Sequence, residues 1–124
     1  MKRKILLIDD DRLVLDSYKN LLVRKGYEVI PAMSCEEALK VFDWMDFDLI
    51  ISDIRMPGKN GVETVSMLQS NLKKVGKDPL PIIFMTGFAE FADELEASEL
   101  GEVLAKPVDA LELLEAIKRS LPKK

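Results

Sequence analysis

Five side chains in this sequence have types that could do chemistry together: Asp9, Asp10, Asp53, Thr86 and Lys106. Carboxylates, hydroxyls and lysines are the reactive groups on offer, and a hard metal is the fitting cofactor class. Other chemistries are excluded by composition. The chain has no histidine and one cysteine, Cys35. That removes a Ser-His-Asp triad, a histidine base, the usual zinc sites and any internal disulfide. The five residues are far apart in sequence, so only a fold can unite them.

The elements that would do so are regular. Residues 4–9 read as a short buried strand, four apolar residues running into Asp9, Asp10 and Asp11. Val14, Tyr18, Leu21 and Leu22 share a helical face, and Gly26 stops that helix. Residues 27–32 form a second strand, and Pro31 argues for a sheet edge. Ser34 with Glu37 reads as a capping box before a second helix through Ala38, Val41, Phe42 and Met45. Residues 47–53 form a third strand, again ending in an aspartate. "RMPGKNG" is a loop by composition, and Val65, Leu68, Leu72 and Val75 mark a third helix ended near Gly76. Residues 80–87 and 102–107 are the fourth and fifth strands. A short helix through Phe88, Phe91, Ala92 and Leu95 lies between them. A last helix is capped by Asp109 and turns Ala110, Leu113, Leu114 and Ile117 inward.

Strands alternating with helices predict a parallel sheet covered on both faces: an α/β, doubly wound, flavodoxin-like (βα)5 domain. At 124 residues the chain reads as one domain, 1–124, with 121–124 a solvated tail. Apolar residues make up 48% and charged residues 32%, a globular balance. The net charge of −4 argues against nucleic-acid binding by this domain itself. The longest apolar runs are four residues, Ile5–Ile8 and Ile82–Met85, so no membrane span or signal peptide is expected and a cytoplasmic location is.

In an open parallel sheet, ligands bind beyond the carboxyl ends of the strands. Asp9 and Asp10 end the first strand, Asp53 the third, Thr86 the fourth and Lys106 the fifth. Each residue taken singly has a structural reading. Asp11 is an N-cap; Asp9 or Asp10 could be a cap or a loop acid; Asp53 could begin a turn. Thr86 and Lys106 could be ordinary surface residues. Their gathering at one end of four strands makes coincidence a poor account.

On these residues the sequence resembles a response-regulator receiver domain over nearly its whole length. The carrying motifs are "LLIDDD", "DIRMPGKNG" from Asp53, "FMTG" through Thr86 and "LAKP" through Lys106. The resemblance implies the strand order 2-1-3-4-5 and a phosphoacceptor at Asp53. It implies Mg²⁺ held by Asp9, Asp10, Asp53 and the Arg55 backbone carbonyl. Thr86 and Lys106 would bind the phosphoryl group, and the peptide before Pro107 would be cis. The implied partners are a histidine kinase or histidine phosphotransfer domain and a downstream output protein or domain, with a homodimer left open. The chain would promote its own phosphorylation and dephosphorylation without being a conventional enzyme.

Three further readings compete. One is a degenerate receiver that binds partners without phosphorylation. Another is a haloacid-dehalogenase-type phosphotransferase, whose signature Leu13 breaks. The last is a flavodoxin-like cofactor binder, which lacks a phosphate loop after the first strand. The sequence also departs from the family pattern. Val103 stands where receivers often carry an aromatic switch residue, three before the lysine. Switching is therefore expected in the loops after Asp53 and Thr86 and in the fourth helix. Phe88, two residues after Thr86, is read either as screening an acyl phosphate from water or as packing against the fourth helix. Phe91, Leu95, Leu104 and Leu111 read either as a partner face built from the fourth helix, fifth strand and fifth helix or as core. Cys35 reads as structural, Trp44 and Met45 as core or rim, and Lys73, Lys74 and Lys77 as a solvated helix end.

Overall fold

Ile5, Leu6, Leu7 and Ile8 have no exposed surface, and neither do Leu49, Ile50 and Ile51. Continuous burial of successive residues needs cover on both faces of a strand, because neighbouring side chains point in opposite directions. The computed structural model describes residues 2–87 and 91–122, and of residues 91 and 92 the backbone only. It shows that cover. Five parallel strands lie in the order β2-β1-β3-β4-β5, as expected. They are β1 (Lys4–Ile8), β2 (Glu28–Ala32), β3 (Leu49–Asp53), β4 (Ile82–Thr86) and β5 (Glu102–Ala105). The helices are α1 (Arg12–Arg24), α2 (Cys35–Phe42), α3 (Gly61–Lys74), α4 (Phe91–Leu100) and α5 (Ala110–Ser120).

The sheet divides the core in two. Ile5, Leu7, Ile51, Ile83, Met85 and Leu104 pack against α1 and α5 residues such as Leu15, Leu22, Leu113 and Ile117. Leu6, Ile8, Ile50, Ile82 and Phe84 pack on the other side with Ala38, Val65, Leu68 and Ala97, from α2, α3 and α4. Pro31 lies on the edge strand β2, where its missing N–H costs least. Gly26 and Gly76, at φ +95° and +74°, end α1 and α3 in the left-handed region that glycine reaches without strain.

Several local expectations are corrected. The strands are one to two residues shorter at their ends than the apolar runs suggested. The buried face of α1 centres on Leu15 and Leu22, with Val14 only half-buried. The Ser34 hydroxyl accepts from the Glu37 N–H, but the Glu37 carboxylate takes the N–H of Met33, one residue before a standard box. Asp109 starts α5 without a side-chain capping bond. A capping box that composition alone hid within a loop is present at α3: Asn60 and Glu63 each bond the other's backbone N–H. Trp44 is 86% exposed, so it is neither core nor rim. Lys77 is not merely solvated, because its ammonium lies 2.6 Å from the Asp46 carboxylate. Nor are 121 and 122 a free tail: Leu121 packs on the α1–α5 side, and Arg3 donates to the Pro122 carbonyl. Phe88 lies outside the described residues, as does the Phe91 side chain.

Candidate functional site

Register sets the level of each acid. Ile8 pairs with Ser52 across β1 and β3, so the next residues, Asp9 and Asp53, leave the sheet side by side. Asp53 pairs with Met85, and Thr86 with Ala105, which brings Lys106 to the same edge. Strand alternation sets the direction. Asp9, Asp53 and Lys106 continue the parity of Leu7, Ile51 and Leu104, which face α1 and α5. Thr86 continues that of Ile82 and Phe84, on the side of α2, α3 and α4.

The outcome is a close cluster. The Lys106 ammonium lies 2.9 Å from Asp9 Oδ2 and 3.3 Å from Asp53 Oδ2. Asp9, Asp10 and Asp53 offer carboxylate oxygens all within 4.8 Å of one another. Asp9 and Asp53 are buried, whereas Asp10 is exposed. Asp9 Oδ1 also accepts from the Asp11 N–H, and Asp11 in turn caps α1 through the N–H groups of Leu13 and Val14. Thr86 is buried, and its carbonyl accepts from the Lys106 N–H at 2.8 Å. The Lys106–Pro107 peptide is cis.

Electrostatics follows from this packing. Burial pushes the Asp53 carboxyl up to about 6; Lys106 opposes the rise, while Asp9 and Asp10 add to it. Burial works against the Lys106 ammonium, but its hydrogen bond to Asp9 and the charges of Asp53 and Asp9 outweigh that and hold its pKa above the ordinary value. A buried carboxylate is thus kept near neutral pH beside a fixed cation. A cation bound among the three carboxylates would relieve the remaining repulsion, and Lys106 would then be available to attract a group with anionic oxygens.

Of the three clustered acids, Asp53 opens onto a hollow of about 500 Å³ that Asp11, Val14, Tyr18, Arg55 and Lys106 also border. A larger hollow, about 720 Å³, lies at the amino ends of β3 and β4 between Phe42, Phe47, Leu72, Val75 and Leu80. Lys77 and Asp46 form a close ion pair there, and among the described residues no comparable set of acids converges at that hollow. Size therefore does not mark the site; the chemistry lies at the smaller hollow.

Elsewhere, Val103 is half-buried against the core on the α2–α4 side. Leu104 is core, whereas Leu95 and Leu111 are exposed, so the proposed partner face loses one of its members. Cys35 is buried with its Sγ 3.9 Å from Met67 Sδ, as a structural cysteine would be. Sequence reasoning missed Tyr18, whose hydroxyl accepts from the Val108 N–H at 3.1 Å. It read Tyr18 only as part of a helix face, and no local signal links residues so distant. Among the described residues, no helix is long and apolar enough to cross a membrane.

Comparison with known proteins agrees with this geometry. The family model for the response regulator receiver domain matches residues 5–118. The transcriptional regulatory protein CpxR of Escherichia coli K12 is 36% identical over 120 residues, covering 95% of this chain and 49% of CpxR. The sporulation initiation phosphotransferase F of Bacillus subtilis is 32% identical, covering 100% of this chain and 98% of that protein. The chain spans from about a quarter to about half of the length of other curated relatives it matches. A crystal structure of the response regulator TrrA from Thermotoga maritima, in complex with Mg²⁺-BeF, superposes with a TM-score of 0.81 at 32% identity, covering 96% of this chain and 99% of TrrA. A match that runs from β1 into α5, and so through every strand that brings a residue to the acidic edge, makes this chain a member of the response regulator receiver domain family.

Proposed function

We propose that this receiver takes a phosphoryl group onto Asp53 from a histidine kinase or histidine phosphotransfer domain and passes the signal to an output protein or domain. The observation that carries the reading is Asp53 itself: a buried carboxylate ending a central strand, 3.3 Å from Lys106 and within reach of two further acids. In the transfer, an Asp53 oxygen attacks phosphorus as the phosphorus–nitrogen bond of the donor phosphohistidine breaks. The imidazole leaves with the electron pair. Charge spreads over the equatorial phosphoryl oxygens, where the Lys106 ammonium and the Thr86 hydroxyl stabilise it. Water later attacks the same phosphorus and releases phosphate.

The donor set fits Mg²⁺, since clustered carboxylate oxygens suit a hard cation that keeps several waters. Asp9, Asp10, Asp53 and the Arg55 carbonyl would hold it. When bound, it neutralises the acids and polarises the phosphoryl group. The chain acts as one receiver unit in the cytoplasm. With Val103 small and packed on the core, the change of state is carried by the loops after Asp53 and Thr86 and by α4.

Incubation with acetyl phosphate, with and without Mg²⁺, followed by intact mass, tests this. The expected result is a Mg²⁺-dependent gain of one phosphoryl group that Asp53→Asn lacks. A folded protein that gains none overturns the proposal. In the same samples, a Val103 methyl shift larger than those of the two loops would reject the assigned switch route.

A further inference from the structure

We propose that Tyr18 is a positioning residue for the Lys106 ammonium, its hydroxyl pinning the β5–α5 loop to α1 through the Val108 N–H. The consequence drawn for phosphorylation rests on the function proposed above; the positioning itself does not.

Lys106 stands at the start of the segment between the end of β5 at Ala105 and the start of α5 at Ala110. Upstream it is tied by its own N–H to the Thr86 carbonyl at 2.8 Å. Pro107 has no N–H to donate. The next donor is Val108, and it is the Tyr18 hydroxyl, from 90 residues away in sequence, that accepts it at 3.1 Å. The two ties bracket the lysine. The Val108 side chain is buried in the core on the α1–α5 side, against which Tyr18 also packs. The Tyr18 ring borders the same hollow as Asp53 and Lys106. One side chain therefore joins α1, the loop and the edge of the site.

A long lysine loses rotamer freedom to reach a fixed point, and the loss is smaller when its backbone is already held. Catalytic benefit from a cation likewise depends on its being in place before charge develops. Removing one hydroxyl would leave a partly buried N–H without its partner and free the backbone two residues from Lys106. The ring and its packing would remain.

Tyr18→Phe tests this with two readouts. The first is the ¹H–¹⁵N signal of the Lys106 ammonium in metal-free protein, assigned by its loss in Lys106→Ala. It should shift and broaden in Tyr18→Phe while the other lysine signals stay in place. The second is the rate of phosphorylation by acetyl phosphate at saturating Mg²⁺. That rate should fall roughly 3- to 10-fold in Tyr18→Phe, and Tyr18→Phe should have no further effect in a Lys106→Ala background. An unmoved Lys106 signal, or an equal slowing in both backgrounds, overturns the positioning role. If the wild type gains no phosphoryl group, the proposed function fails, and the ammonium signal still decides the role of Tyr18.

Discussion

At neutral pH the Asp53 carboxylate is charged, itself mostly buried and with the buried Asp9 carboxylate beside it. Its folded pKa of about 6 stands above the ~3.9 of an unfolded aspartate. The sign is therefore fixed: the folded protein holds this proton more tightly than the unfolded chain does. The stability this contributes is fully present below about pH 4 and is lost as pH rises through about 6. Two units of difference correspond to on the order of 2–3 kcal/mol. Asp53→Asn keeps the shape and removes the charge. In metal-free protein it should be more stable than the wild type by that order at pH 8, with the gap nearly closed at pH 4. Urea unfolding at the two pH values measures this; a gap that does not change with pH would show that burial of charge is not its cause. Here function runs against stability, which is the usual condition of a reactive group.

Among the elements, α3 is the one whose placement bears most directly on Asp53. The Gly61 N–H donates to the Ile54 carbonyl at 2.7 Å, and a Cβ on Gly61 would lie 2.0 Å from the Asp53 carbonyl oxygen. Backbone cannot yield as a side-chain tip can. Gly61→Ala should cost about 2–3 kcal/mol or more and slow phosphorylation by displacing Asp53. Gly87→Ala makes the contrast, because its nearest neighbour would be the Lys106 Cβ at 3.9 Å, an ordinary contact. Its cost should be under about 1 kcal/mol in the same denaturation series. Equal losses at the two positions would reject the close approach as the reason for glycine at 61. Most of this level was legible in the sequence. Apolar runs such as Ile5–Ile8 announce strands covered on both faces, and Gly26 and Gly76 announce helix ends. What misled was chemistry that two arrangements share. Asp109 has the right type and place for a cap but makes no capping bond. Asn60 does cap, inside a stretch whose glycines and proline read as loop, although Glu63 three residues on was a usable signal.

Across the whole molecule, parallel topology turns separate strand ends into one site. That is why Asp9, Asp10, Asp53, Thr86 and Lys106 could be read together once the strand order was foreseen, while the Tyr18–Val108 bond could not. The former follow from a repeating rule, the latter from a single side chain crossing between elements. The same gathering concentrates like charge at one edge, and it should make stability depend on a divalent cation. A ligand that binds only the folded state stabilises it by RT ln(1 + [L]/Kd), about 1.4 kcal/mol at tenfold its Kd. For a chain of 124 residues, that corresponds to a rise in thermal midpoint of about 5 °C. Mg²⁺ titrated into chelator-treated protein should raise the midpoint progressively by this order, and excess EDTA should reverse it. In Asp10→Asn the rise should shrink, because one carboxylate of the three is neutral. Asp53→Asn should likewise respond less while starting from a higher metal-free midpoint at pH 8, since the charge that Mg²⁺ offsets is already gone. A wild-type midpoint that ignores Mg²⁺ would mean that the acids repel one another without a cation to join them.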